Sequence, residues 1–354
     1  MKNKIVTLVY ENSIPKLKYL QKENKKWRAL EFDLGIGVYF LQKTKDKSNK
    51  LTFSFSSPAH PYASYQYDFD HQKLITQTNT ISLKSQYYKN TRVKRIWAKA
   101  SDGTNIPITV VKNKAVSNNQ KKVILNVYGA YGANTTPSFS AQDAILLKKG
   151  YTLAYAHVRG ESIMGTKWYK MGRAMNKQNS IKDYIACAEH LINKKIAGAN
   201  SLVGYGNSAG GLIVAQAANE RPELFNTLLL DHAYLDVVNT MMNDTLPLTI
   251  DEYKEMGNPQ QKEVFEYMMA YSPFQNIKAQ NYPNMLFTAS YQDFQTPVWQ
   301  IAKYVSKLRE NNLANTNIIL LTDMNSGHIG STSEKAWIKL FAEMHSFLHL
   351  NLKE

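Results

Sequence analysis

Apolar and polar positions alternate in two different ways along this chain of 354 residues. Up to about residue 78 the pattern is one of short strand-like runs, such as residues 5–10, 37–41 and 51–55, separated by polar turns. No long helical period occurs there. Phe55 to Pro61, followed by Tyr65-Gln66-Tyr67-Asp68-Phe69, predicts a loop feeding an outer strand of a propeller blade. A segment of this length makes at most two blades of about 40 residues. Two blades cannot close a propeller, so the segment belongs to a larger architecture or packs on the second domain in another way.

Beyond a polar linker the period changes. Residues 95–104 and 106–111 read as a hairpin around Asp102-Gly103, after which strands and helices alternate. Strands are expected at 123–128, 152–158, 202–205, 228–230, 285–290 and 318–322, and helices over 141–149, 180–192, 298–309 and 334–348. The helix over 180–192 puts Ile181, Tyr184, Ile185, Ala188 and Ile192 on one face, with Ser180 and Asp183 as its capping pair. Such alternation predicts a mostly parallel sheet with helices on both faces, whose site lies beyond the carboxyl ends of the strands. The expected division is an all-β segment over 1–78 and an α/β domain over 79–354.

At the centre of the second pattern stands Leu202-Val203-Gly204-Tyr205-Gly206-Asn207-Ser208-Ala209-Gly210-Gly211, an apolar strand running through Gly-x-Ser-x-Gly into a helix. Glycines two positions either side of a serine let a tight strand-to-helix turn close and lift the hydroxyl above the sheet edge. The serine then sits at a helix N-terminus, where free N–H groups stabilise developing negative charge.

Composition narrows the partners. With 44% hydrophobic and 20% charged residues the chain reads as soluble and globular, and no run of about 18 apolar residues suggests a membrane span. The first ten residues break into Glu11-Asn12 before a signal-peptide core forms, so a cytoplasmic protein is expected. The single cysteine, Cys187, excludes an intramolecular disulfide and a cysteine-based zinc site, and reads as a small core residue. Residues 1–100 hold 19 Lys/Arg against 7 Asp/Glu, and the remainder 24 against 21, so most of the net +15 belongs to the N-terminal part. There it is scattered among strand-like residues without a basic helix or aromatic RNA-binding signature, and no nucleic-acid partner is expected.

An activated serine needs a histidine base within reach and a carboxylate to hold the imidazole's tautomer. Of eight histidines, His328 follows the strand at 318–322 on the correct edge of the sheet, in the loop Asn325-Ser326-Gly327-His328-Ile329-Gly330. His157 and His232, at strand ends, are the rivals. For the acid, Asp293 follows the strand at 285–290 and completes the order Ser, Asp, His of α/β-hydrolases. Asp231, ending the strand before it, is the rival.

Together Tyr128-Gly129-Ala130-Tyr131-Gly132, His157-Val158-Arg159-Gly160, Lys177-Gln178-Asn179, Gly206-Asn207-Ser208-Ala209-Gly210-Gly211, Arg221-Pro222-Glu223-Leu224-Phe225, Gly257-Asn258-Pro259, Tyr271-Ser272-Pro273 and Thr322-Asp323-Met324-Asn325-Ser326-Gly327-His328 resemble the catalytic domain of the prolyl oligopeptidase family. The oligopeptidase B (protease II) branch is the most similar, and the likeness runs from about residue 80 to the C-terminus. It implies an α/β-hydrolase fold preceded by a remnant of a seven-bladed propeller, and a serine peptidase acting on short peptides without metal or cofactor. It implies Ser208, Asp293 and His328 as the triad, and the Tyr128 hydroxyl with the Ala209 N–H as oxyanion hole.

Three departures qualify the resemblance. Only the end of the propeller is recognisable, which leaves open a truncated or split homologue and a separate polypeptide carrying the missing blades. Glu161-Ser162-Ile163-Met164-Gly165 stands where the branch has further glycines and a glutamate. The branch that cleaves after Arg or Lys uses two glutamates separated by one aromatic residue before Gly-Asn-Pro; here Glu252 matches the first and Lys254 replaces the second. A Glu252–Lys254 pair would cancel the negative field that a basic substrate side chain needs. A carboxylesterase or lipase on this fold uses the same chemistry, so the triad by itself does not separate the two activities.

Overall fold

The alternating runs at the start of the chain become antiparallel strands. In the computed structural model, which describes residues 4–23, 26–42, 49–79, 88–198 and 200–352, β1 (Lys4–Glu11), β2 (Ile14–Glu23) and β3 (Lys26–Phe32) form one sheet. β4 (Val38–Leu41), β5 (Lys50–Ser57), β6 (His60–Asp68) and β7 (Lys73–Asn79) form a second, in that order. Asn12 and Ser13 both take positive φ (51° and 61°), the two-residue turn that matches the twist of a hairpin. Period-two alternation buries Leu17 and Tyr19 of β2 with Phe32, Phe53, Phe55 and Tyr65 in one aromatic-rich core.

Two expectations change here. The loop over 55–61 shrinks to the turn Pro58-Ala59, because β5 continues to Ser57 across a register shift and β6 resumes at His60. Tyr65 lies within β6, which is an interior strand rather than an outer one: the weakly apolar β7 pairs along its other side. Of the expected linker, residues 80–87 lie outside the described residues.

The second pattern gives β8 (Thr91–Lys99), β9 (Asn105–Asn113), β10 (Val123–Val127), β11 (Thr152–Ala156), β12 (Leu202–Asn207), β13 (Thr227–Asp231), β14 (Asn284–Ser290) and β15 (Ile318–Asp323). They make an eight-stranded sheet in the order β15-β14-β13-β12-β10-β11-β9-β8, with β10, β12, β13, β14 and β15 paired in parallel. The connections carry α1 (Ala141–Lys148), α2 (Thr166–Lys170), α3 (Lys177–Asn193), α4 (Ala209–Glu220), α5 (Val237–Met241), α6 (Thr249–Met256), α7 (Lys262–Met269), α8 (Val298–Asn311) and α9 (Glu334–Asn351). This is the α/β-hydrolase arrangement, and the strands before it are propeller-like. By contacts the chain divides into two compact units, Met1–Arg95 with Thr109–Ser117 and Thr136–Thr152, and Ile96–Ile108 with Asn118–Thr135 and Leu153–Glu354.

The capping pair expected at Ser180 and Asp183 is not one. The helix starts three residues earlier, at Lys177, and both side chains are buried inside it. The Ser180 hydroxyl donates to the Arg159 carbonyl at 2.6 Å, and Asp183 accepts from the Arg159 Nε and guanidinium at 2.9 and 2.6 Å. A buried arginine needs a carboxylate more than the helix needs a cap. Cys187 is fully buried on the same helix, where burial pushes its thiol well up. Among the described residues no helix is long and apolar enough to cross a membrane.

Candidate active site

β12 runs between β10 and β13 and delivers Ser208 at its carboxyl end. Ser208 takes φ 50° and ψ −124°, a left-handed conformation that a residue with a side chain adopts only when its surroundings impose it. The constraint is visible: the Ser208 N–H donates to the Asp231 carbonyl at 3.0 Å, and its carbonyl accepts from the N–H of Tyr234 at 2.9 Å. The flanking glycines are sterically required. A Cβ on Gly206 would lie 2.5 Å from the Gly210 carbonyl oxygen, and one on Gly210 would lie 2.3 Å from that of Val127.

The Ser208 Oγ lies 3.1 Å from Nε2 of His328, and His328 Nδ1 lies 2.7 Å from Oδ2 of Asp293. The second carboxylate oxygen accepts the N–H groups of Gln295 and Thr296 at 2.8 and 3.0 Å, while the Thr296 hydroxyl donates to Oδ2 at 2.8 Å. Burial pushes the Asp293 carboxyl up, yet these hydrogen bonds, His328 first, outweigh it and hold the group below its usual value. An ionised Asp293 fixes the proton on Nδ1, which leaves Nε2 as the acceptor facing the serine hydroxyl.

The rivals have other partners. Asp231 Oδ1 meets Nδ1 of His232 at 2.8 Å, and His157 is fully buried with its Nδ1 3.2 Å from Glu161. Ala209 opens α4, so its N–H has no acceptor in the preceding turn of its own helix. Tyr128, just past β10, is half-buried; burial pushes its hydroxyl up while a hydrogen bond with the Ser208 side chain works against it.

Beside Ser208 opens a cavity with about 530 Å³ of empty space, walled by Met241, Leu246, Leu248 and Phe294 and carrying Glu252 and Tyr131. The Tyr131 hydroxyl donates to Glu252 at 2.9 Å. Burial pushes the Glu252 carboxyl up from its usual value, with Tyr131 opposing and Glu255 adding to the push.

Lys254 requires a correction. The expected Glu252–Lys254 pair does not form, and Lys254 is exposed and absent from the cavity wall. Both residues lie on α6, where two positions apart means about 200° of rotation. The residue that shares Glu252's side of the helix is Glu255, three positions on.

Glu255 is one of the residues that linear reading missed. It is buried, accepts the Tyr131 N–H at 3.0 Å and the Tyr169 hydroxyl at 2.7 Å, and pairs with the buried Lys177 at 3.3 Å. Lys177 also donates to the Gly129 carbonyl at 3.2 Å, so this pair clamps the loop that carries Tyr128 and Tyr131. Burial pulls the Lys177 amine down, and Glu255 opposes the pull. The sequence signal was the helical spacing from Glu252 together with a lysine in an otherwise apolar-faced helix.

Removing one partner of a buried ion pair leaves the other uncompensated, at about 3–5 kcal/mol. Glu255→Ala should therefore lower stability by about that amount, and Lys177→Met with Glu255→Ala together by less than either alone. Urea denaturation followed by circular dichroism measures both; a loss under about 0.5 kcal/mol for Glu255→Ala would contradict the clamp.

Comparison with known proteins gives a consistent picture. The profile described as "Prolyl oligopeptidase family" matches residues 137–354, and that described as "Prolyl oligopeptidase, N-terminal beta-propeller domain" matches residues 1–78. Dipeptidyl aminopeptidase BI of Pseudoxanthomonas mexicana is 34% identical over 302 residues, covering 84% of this chain and 41% of that protein. Protease 2 of Moraxella lacunata is 36% identical over 258 residues, 73% of this chain and 37% of that protein. Among solved structures, oligopeptidase B from Leishmania major superposes with a TM-score of 0.89 at 30% identity, over 99% of this chain and 50% of that one. The chain thus spans about two fifths of these curated relatives and half of that structure.

Proposed function

The chain belongs to the prolyl oligopeptidase family, and we propose that it is a serine peptidase cleaving short peptides through an acyl-enzyme. Ser208 is the nucleophile, His328 the general base, and Asp293 the acid that orients and stabilises the imidazolium. Support comes above all from the continuous contact Ser208–His328–Asp293 at 3.1 and 2.7 Å on a strained strand-to-helix turn. His328 Nε2 takes the hydroxyl proton as Oγ attacks the carbonyl carbon, then returns it to the leaving amine. The Tyr128 hydroxyl and the Ala209 N–H receive the developing oxyanion. Water repeats the sequence on the ester and frees Ser208.

The cavity suggests the residue before the cleaved bond. Apolar walls suit the stem of a long side chain, and the half-buried Glu252 carboxyl, raised by burial, gains most from a cation. We therefore assign a preference for Arg or Lys to Glu252. Glu252→Gln should reduce the discrimination between an Arg and a Leu amide substrate by about 1–3 kcal/mol in kcat/KM, the scale of a charge-assisted contact. Lys254→Glu should change it little, since that side chain faces away. Equal selectivity in wild type and Glu252→Gln would remove Glu252 from this role.

An esterase reading shares the triad, and comparing turnover of a dipeptide amide with that of a p-nitrophenyl ester separates it. Activity on the ester alone would overturn the peptidase reading. Further propeller blades, on this or a separate polypeptide, and a cytoplasmic setting suited to a lone buried cysteine complete the proposal.

A further inference from the structure

The short segment Asp231-His232-Ala233-Tyr234 touches every element that carries a member of the triad. Its backbone holds both the N–H and the carbonyl of Ser208. Within it His232 is 7% exposed and takes φ 47°, the strained left-handed region, which aims its ring across the ends of β14 and β15. Nδ1 of His232 lies 2.8 Å from Asp231 Oδ1, and Nε2 lies 2.8 Å from the Ser290 Oγ. The Ser290 Oγ in turn lies 2.8 Å from that of Ser326, whose side chain, after the Asn325 N–H, helps hold the Asp323 carboxyl below its usual value. Ser290 accepts the Asp293 N–H at 3.2 Å on its carbonyl, and the Ser326 carbonyl accepts the Gln292 N–H at 3.1 Å, two residues before His328.

Three hydrogen bonds run from Asp231 through the His232 ring and Ser290 to Ser326, with the Asp323 carboxylate beyond them. An imidazolium donates at both ends of the ring, to Asp231 and to Ser290, which leaves each serine hydroxyl its own proton to donate onward in the direction of Asp323. Both carboxyls are acceptors. Burial pushes Asp231 up but its bonds, that from His232 first, hold it below its usual value, and the Asn325 N–H does the same for Asp323.

We propose that His232 is a positioning residue of the peptidase site: as an imidazolium bridging Asp231 to the Ser290–Ser326 pair, it holds the Asp293 and His328 loops at working distance from Ser208. The proposal rests on the triad reading above. The ionisable groups facing His232 are Asp231 on its own segment, Asp293 after β14, Asp323 at the end of β15, and the His328 ring, whose centroid is 5.9 Å away. Burial pulls the His232 imidazole down, but the bond to Asp231 and the three carboxylates outweigh it, so its titration lies above the ordinary value. A group raised in this way keeps its charge below that point and loses it as pH rises through it. The chain of bonds is therefore complete below that titration and loses one link above it.

The direct test is nitrogen-15 NMR of the histidine-labelled protein at pH 7, with His232→Gln to assign the signal. Two protonated ring nitrogens are expected at His232; a single neutral tautomer would overturn the proposal. In kinetics, His232→Gln and, separately, Ser326→Ala should lower kcat about 10²-fold with KM little changed, the cost of a misplaced catalytic group. The alkaline decline of kcat in wild type should be absent from His232→Gln. Wild-type kcat and pH profile in both variants, even with a lowered Tm, would make the bond network merely structural and overturn it. Failure of Ser208 to react with a fluorophosphonate in wild type would instead overturn the triad reading, and the NMR result is read without substrate.

Discussion

Replacing Ser208 by alanine is expected to lower kcat roughly 10⁶-fold and to abolish labelling by a fluorophosphonate probe. The size follows from the way the three side chains act as one device. Without Oγ there is no acyl-enzyme, and His328 has no hydroxyl to deprotonate at its 3.1 Å contact. His328→Ala should cost a similar factor, and the double variant should be scarcely worse than either single one, since each already removes the whole covalent route. Mass spectrometry of the labelled wild type locates the adduct. An adduct on another residue, or equal labelling of Ser208→Ala, would sink the assignment.

Tyr128→Phe should lower kcat by about 10²–10³, or about 2.7–4 kcal/mol, with little change in KM. A hydroxyl aimed at the oxyanion contributes when charge develops and hardly at all to the planar ground-state carbonyl, so the loss falls on kcat. The ring of Tyr128 stays packed against that of Tyr131, with centroids 6.2 Å apart, and the buried Glu255–Lys177 pair keeps the loop in place. The substitution therefore removes a donor without moving the backbone. Steady-state kinetics with a dipeptide amide measures it, and an unchanged kcat would leave Tyr128 as a packing residue only.

These expectations draw on different layers of the molecule. The change of hydrophobic period near residue 78, and the order of strands and helices after it, determined a mostly parallel sheet with helices on both faces, because each parallel strand must be followed by a crossover that covers the sheet. The Gly-x-Ser-x-Gly spacing likewise determined a tight turn at Ser208, since its geometry depends on residues within four positions. Short elements were less legible. β7 has few apolar residues, and α5, α6 and α7 lie between strands without a long period, so their existence depends on the surfaces they pack against.

The pairing of distant side chains belonged to the tertiary structure alone. Asp231 and Asp293 both follow apolar strands, and His232 and His328 both follow strand ends, so the linear pattern left each acid two bases. The register of β13 on β14 sets Asp231 opposite Thr288 and beside His232, while Asp293 sits past the end of β14 within 2.7 Å of His328. The acidic pocket shows the same division. Along the chain Lys254 replaces a glutamate beside Glu252, but the helix turns it to solvent and brings Glu255 round instead. A string of residues specifies local backbone through short-range sterics and burial through period. Which charges meet is decided only when strands and helices from separate parts of the chain are packed together, because burial then makes an unpaired charge too costly to keep.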